Sequence, residues 1–224
     1  MTTPGFRILP RIHTSPSVVG LFAGLPTAII SDCMSRLSGT RELAPRHRPG
    51  TVVLGSALTV RVRSGDNLMI HKALQLARPG DVLVIDGGGV TDRALIGDIM
   101  RQVARSRGVV GAVVDGAIRD SASFREDDFA CWSRGVSHRG PYKDGPGEIN
   151  VAVSIDGNVV EPGDIVAGDD DGIVFVAPAQ AEAIAAAARR KADDEAATLA
   201  AIAGGTYDDR WIDETLRAKG VLAR

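Results

Sequence analysis

Aromatic side chains are scarce in this chain, 4% of 224 residues. A surface that stacks bases needs a cluster of them, and the charge balance argues the same way. Lys and Arg number 26 against 28 Asp and Glu, for a formal charge of −2 and a pI near 6.1. The basic footprint of a polyanion-binding protein is therefore missing, and no nucleic acid is expected as a main ligand. A small anion needs only a local basic site. Cysteine is limited to Cys33 and Cys131, far apart and without metal-ligand spacing, which suits buried thiols in a reducing cytosol better than a disulfide scaffold. No basic N-terminal segment leads into a long apolar run, so neither a signal peptide nor a membrane span is expected, and the predicted location is cytoplasmic. Four scattered histidines, none paired at helical zinc spacing, exclude a His-based metal site. Of these, His71 follows Asn67 on a predicted helix and could face a cleft.

What remains is the composition of one soluble α/β domain: 44% hydrophobic residues, 24% charged and 26 glycines. Two short helices are predicted within residues 15 to 37, the first with Ser15 as cap and Pro16 after it. Thr51 to Arg63 is rich in β-branched residues and ends in alternation, a strand with one wet face near its end. Then helix and strand alternate: "NLMIHKALQLA", "DVLVIDGGG", "ALIGDIMRQVARSRG" read as a helix, "VVGAVVDG", and a helix or turn at "RDSASFREDD". That order predicts an α/β sandwich with at least one parallel pair. From Phe129 the runs are short and β-like, with hairpin turns at Asp156-Gly157 and Asp171-Gly172. An Ala-rich helix follows from Gln180, closed by Gly204-Gly205, and "DDRWIDETLRAKG" is a last helix. The helical tail is expected to contact a partner subunit.

Three places invite chemistry. "DGGGVTDRALIGD" has glycines between a strand and a helix but lacks the dinucleotide spacing, and the chain has no Gly-Lys-Ser/Thr phosphate loop. A glycine turn at a helix start still offers free N–H groups to a carboxylate or phosphate, although a tight turn with no ligand is equally compatible. "GDDDG" lacks the alternating ligands and distant Glu of a calcium loop and reads as a solvated turn. The third place is Arg119-Asp120, adjacent opposite charges at the mouth of a buried strand, with Asp98 just beyond the glycine turn. A guanidinium suits a carboxylate or enolate oxygen, and a carboxylate can hold a hard divalent cation. If the two strands are neighbours, all three open at one sheet edge.

The spacing of Asp98 and Arg119-Asp120, with "GDVLVIDGGG", "GVVGAVVDGAIRD" and "VEPGDIVAGDDDGIVFVAP", resembles the divalent-metal-dependent pyruvate aldolases related to 4-hydroxy-4-methyl-2-oxoglutarate/4-carboxy-4-hydroxy-2-oxoadipate aldolase. The resemblance spans roughly Thr27 to Gly205. It implies an αββα sandwich of the swivelling-domain kind with mixed central sheets, a catalytic domain over 1–178 and a helical C-terminal extension over 179–224. It implies a lyase that cleaves a 4-hydroxy-2-oxo acid to pyruvate and an oxo acid, with oxaloacetate decarboxylation as a side reaction. Asp120 would be the protein ligand of Mg2+ or Mn2+, Arg119 would contact the pyruvyl oxygen, and the amides of Gly97, Asp98, Ile99 and Met100 would hold the pyruvate carboxylate. Asp98 would orient water at the metal. Glu195 of a neighbouring subunit and Asp32 of an N-terminal helix are the candidates for proton transfer, with Asp193 and Asp194 as local rivals of Glu195, in a homotrimer or homohexamer. The same superfamily contains the regulator of ribonuclease E activity, a non-enzymatic binding protein without the acidic residue after the motif arginine. This chain keeps Asp120, which favours the enzyme.

Overall fold

Period-two alternation in the apolar runs sets the layers. In the computed structural model, which describes residues 4–223, the elements in chain order are β1 (Phe6–Ile8), α1 (Pro16–Val19), α2 (Thr27–Cys33), β2 (Ala44–Pro45), β3 (Val53–Val62), α3 (Leu68–Leu76), β4 (Asp81–Asp86), β5 (Ala94–Ile96) and α4 (Asp98–Ser106). There follow β6 (Gly111–Ile118), α5 (Ser121–Arg125), β7 (Ala130–Val136), β8 (Gly147–Ile149), β9 (Val153–Ile155), β10 (Asn158–Val160), β11 (Ile165–Asp169), β12 (Gly172–Val176), α6 (Ala181–Ala203) and α7 (Arg210–Ala218). The strands β3, β4, β6 and β7 pair in parallel in that order. Parallel neighbours need crossovers of one hand, which places the connecting helices on one face of the sheet. On that face Leu83, Ile85, Ala112 and Val114 meet Met69, Ile70 and Leu74 of α3, Met100 and Ala104 of α4, and Phe124 of α5.

The alternate residues Val82, Val84 and Val113 point the other way, into a second core with Trp132, Val153, Ile155, Val160, Val166, Ile173 and Phe175. The hairpins β9–β10 and β11–β12 form this inner cover, both antiparallel; the first turns at Asp156-Gly157 as predicted, and the second turns one residue before the predicted step, at Asp170-Asp171, with Gly172 already paired to Asp169. Alternation then continues outward. Ile165, Ala167, Val174 and Val176 face Phe22, Ile30 and the α6 residues Ala181 and Ala185. The expected α–β–β–α layering is the observed one. Ser15 caps α1 as read from the sequence, its Oγ accepting from the Val18 amide at 3.5 Å.

Two local differences stand out. Ala94–Ile96, expected as the start of a helix, is a strand paired with β6, and the helix begins only at Asp98. Its three apolar residues are fully consumed by the sheet, a length too short for periodicity to separate strand from helix. The first half of α6 is held by its own chain, because Ala181, Ala185 and Ala188 are buried on one helix face against the outer layer. Small residues let that helix approach closely where large ones would hold it off. Among the described residues no single helix is long and apolar enough to cross a membrane.

His47 is built into the inner layer. Its Nδ1 lies 2.9 Å from both the amide nitrogen and the carbonyl oxygen of Cys131, its ring meets Trp132 edge-on at 4.5 Å, and Nε2 is buried without a partner among the described residues. Burial holds its pKa below the ordinary value. A depressed histidine pKa favours the folded state only while the ring is neutral in both states, so this contribution is complete above the unfolded value of about 6.5 and is lost as pH falls through the folded one. Urea midpoints at pH 7.5 and pH 5.5 should therefore fall further in the wild type than in His47→Gln; an equal fall would show that the ring does not carry the effect.

Candidate active site

The site forms where β6 ends. Asp120 adopts φ 54°, ψ 39° between β6 and α5, a left-handed conformation that Asp tolerates better than most residues. Its neighbour Arg119 lies with Nε 3.6 Å from Asp120 Oδ2, too far for a hydrogen bond. The carboxylate instead accepts from the Asp98 amide at 2.9 Å. Both charged side chains remain well exposed, 42% and 43%. The pair therefore does not cancel itself, and each charge is left facing a shared space.

The start of α4 is brought there by the sheet. β5 pairs with β6, and the Arg119 amide donates to the Ile96 carbonyl at 3.0 Å. Gly97 then makes the turn in extended backbone, φ −148°, so glycine is required by space: a Cβ would lie 2.5 Å from Asp120 Oδ2 and 2.8 Å from Arg119 Cγ. Gly97 to Met100, whose amides the resemblance assigns to a carboxylate, are the cap and first turn of α4. The amides of Ile99 and Met100 have no acceptor among the described residues. Unpaired first-turn amides favour an anion. The Asp98 carboxylate is fixed from behind, its Oδ1 accepting from Arg101 Nε at 3.0 Å and Nη2 at 2.5 Å. Arg101 is itself buried, reaches Asp127, and lies 5.6 Å over the Phe124 ring.

Next to these groups is a cleft of about 310 Å3, lined by Asn67, His71, Ile99, Met100, Arg119 and Lys143 together with backbone of 94–97 and 140–141. His71 does face a cleft. Burial, and then the charge of Lys143, holds its pKa below the ordinary value, so it is neutral near pH 7. Asn67 donates to the Leu95 carbonyl at 2.9 Å and to Met100 Sδ at 3.2 Å, leaving Oδ1 buried without a partner among the described residues. Lys143 was not singled out by the sequence. It lies in the Gly- and Pro-rich run "RGPYKDGPG", which signals turns and says nothing of which wall the turns build.

Asp32 and Glu195 lie elsewhere in the chain. Asp32, on α2, accepts from Arg36 Nε at 2.7 Å and faces Lys191 Nζ at 3.1 Å; the same Nζ is 3.4 Å from Glu195. Lys191 first and Arg36 second hold the Asp32 pKa below the usual carboxylate range. The two acids thus share one lysine in the outer helical layer and do not line the cleft of their own chain. Asp193 and Asp194 are exposed on α6.

Among the described residues no group of three or more His, Cys, Asp or Glu side chains is placed to hold a metal ion. A closed zinc site is thereby ruled out for those residues. Asp120 does offer one exposed carboxylate whose Oδ1 receives no hydrogen bond from the described residues. That donor set fits a hard cation that keeps most of its waters, as Mg2+ does.

Fold and cleft together define an α/β sandwich with a helix start and an arginine side by side at one sheet edge. Residues 27–175 match the model of the RraA-like family, described as Aldolase/RraA. A Halalkalibacterium halodurans protein named "Putative 4-hydroxy-4-methyl-2-oxoglutarate aldolase" is 40% identical over 176 residues, 78% of this chain and 84% of that one. The crystal structure of an uncharacterized Pseudomonas syringae pv. tomato protein matches with TM-score 0.78 and 28% identity, covering 87% of this chain and 96% of that one. Streptomyces coelicolor RraAS2, described as an unusual member of the RNase ES inhibitor RraA family, matches with TM-score 0.74 and 26% identity over 83% and 97% of the two chains. The chain belongs to the RraA-like family.

Gly97→Ala should destabilise the fold by about 1 kcal/mol, because the added methyl pushes the Asp120 carboxylate off the Asp98 amide and costs that hydrogen bond. Gly20→Ala, at a position with nothing within 4 Å of the added carbon, is the control and should be neutral or slightly stabilising. Urea unfolding of the two variants checks this; equal midpoints would mean that the turn at Gly97 yields freely.

Proposed function

We propose that the chain is a divalent-metal-dependent pyruvate aldolase that cleaves a 4-hydroxy-2-oxo dicarboxylic or tricarboxylic acid to pyruvate and an oxo acid, with oxaloacetate decarboxylation through the same enolate. The observation that carries this reading is Arg119 on the cleft wall with Ile99 and Met100, whose amides have no acceptor among the described residues, and Asp120 next to Arg119 just outside that lining. The name of the 40% identical relative supports it.

The substrate's C1 carboxylate takes the first-turn amides of α4, where backbone N–H groups and the helix dipole favour negative charge. Arg119 then stands at the C2 oxygen. As the C4 hydroxyl gives up its proton, the C3–C4 bond breaks, the electron pair passes through C3–C2 to that oxygen, and a fixed guanidinium stabilises the enolate as its charge develops. Protonation at C3 completes pyruvate. Asp120 would hold Mg2+ or Mn2+, which supplies Lewis-acid charge at the same oxygen when bound. Lys143 is the cation on the cleft wall suited to a distal carboxylate, since His71 beside it is neutral. Asp98, pinned through one oxygen by Arg101, keeps the other for ordering water. Glu195 and Asp32 act on the cleft of a neighbouring copy in a trimer or hexamer, where they complete proton transfer. The rival reading, a regulator that binds a ribonuclease, is favoured by the likeness to RraAS2 and requires neither metal nor Asp120.

Pyruvate release from a panel of 4-hydroxy-2-oxo acids and oxaloacetate, with and without Mg2+ or Mn2+, tests the proposal. Asp120→Asn should lower turnover by about 100-fold or more, the scale of a lost preorganised charge, with its melting temperature little changed. A variant as active as wild type without added metal would remove the metal assignment. Arg119→Lys should fail as well, because a point charge cannot reproduce a planar fork. Glu195→Gln should reduce activity while light scattering finds the oligomer intact; full activity would transfer the role to Asp193 or Asp194, or abolish it.

A further inference from the structure

One wall of the cleft is a loop with no regular structure of its own. Residues 139–145 carry Gly140, Pro141 and Lys143 into the lining, and Gly140 comes so close to Arg119 that a Cβ there would lie 3.4 Å from Nη1. A coil segment can hold an ammonium group in place only if its backbone is fixed from outside.

The outside anchor is Asp66, fully buried and absent from the cleft lining. Its Oδ2 accepts from the amides of Asp144 at 2.8 Å and Gly145 at 2.9 Å and from Arg63 Nη2 at 3.2 Å. Its Oδ1 accepts from the Leu68 amide at 2.9 Å, capping α3. On either side the backbone follows suit, Tyr142 donating to the Gly65 carbonyl at 2.8 Å and accepting from the Asn67 amide at 3.0 Å. A second clamp, Arg93, donates to the Gly140 carbonyl and to the Tyr142 hydroxyl, both at 2.9 Å, with its guanidinium 4.2 Å over the Tyr142 ring. Arg93 is half-buried, whereas the Asp66 carboxylate is fully buried, so leaving its donors unpaired is the costlier loss.

We propose that Asp66 is a positioning residue for substrate recognition: it fixes the Gly140–Gly145 loop to the start of α3 and thereby sets the distance between Lys143 and the Arg119 edge. The effect on substrate rests on the aldolase reading of the cleft; the effect on the loop does not. Asp66→Asn keeps the shape but puts an NH2 group against amide donors. Asp66→Ser retains a short acceptor for the Leu68 amide while being too short to reach Asp144 and Gly145, which separates helix capping from loop anchoring.

The experiment combines amide hydrogen exchange with kinetics in the wild-type and Lys143→Ala backgrounds. Both Asp66 variants should speed exchange at residues 140–145 while β3, β4 and β6 keep their protection, and should raise KM about tenfold with kcat within about twofold. In the Lys143→Ala background the further rise in KM should vanish, since the loop then has no charge to position. An equal rise in KM in that background, or loop exchange unchanged in Asp66→Ser, overturns the proposal. A wild-type protein that releases no pyruvate from any acid overturns the aldolase reading instead, and the exchange result then decides the anchoring on its own.

Discussion

The hydrogen bond from the Asp98 amide to Asp120 Oδ2 joins the start of α4 to the end of β6, and the rest of the site is arranged around it. It occupies one oxygen of the carboxylate and one of the first-turn amides, leaving the other oxygen and the next two amides without a partner among the described residues. It also explains the glycine before it. Any side chain at Gly97 would stand between the two partners, so the sequence gives up a residue there in order to let backbone and carboxylate meet. Arg119 is then aimed past Asp120 without being captured by it, which answers how adjacent opposite charges survive as two separate functional groups.

The other wall is governed by long-range contacts of a different kind. Asp66, Asn67 and Arg93 precede the 139–145 loop by scores of residues, yet they supply most of its fixed partners. This division has a kinetic logic under the proposed reaction. Arg119 meets the oxygen that changes charge, while the α4 amides and the loop wall meet carboxylates that do not.

Much of the layering was legible in the sequence because it follows from alternation: Val82, Leu83, Val84 and Ile85 assign themselves to two cores by parity alone. The hairpins were legible from Asp-Gly steps, and Arg119-Asp120 with Asp98 from spacing. Three things were not. Ala94–Ile96 is too short for any period to declare itself. Lys143 and Asn67 reach the cleft through pairings between distant segments that leave no local signal. The first half of α6 has alanines where a periodicity argument looks for large residues, and close approach replaces size. The positions of Asp32 and Glu195 were legible only as helices, and their shared contact with Lys191 is a tertiary fact.

The ten-residue strand β3 carries β4 along one edge, and along the other it carries β11 on Val53–Ser56 and β8 on Val60–Val62. The gap between those two partners is closed by the Ala57 amide donating to Asp164 and the Thr59 carbonyl accepting from Asn150. The longest strand therefore offers no free edge to another molecule. The branch through β11 ends at β12, whose outer edge takes the Thr40 amide on the Ile173 carbonyl, and along the main path the ends of the sheet fall to β1, three residues long, and β2, two residues with Pro45 as one of them. Such stubs are poor templates for growth by strand addition. The sandwich thus holds its longest strand inside three ladders at once, and a one-residue slip of that strand must break all three together.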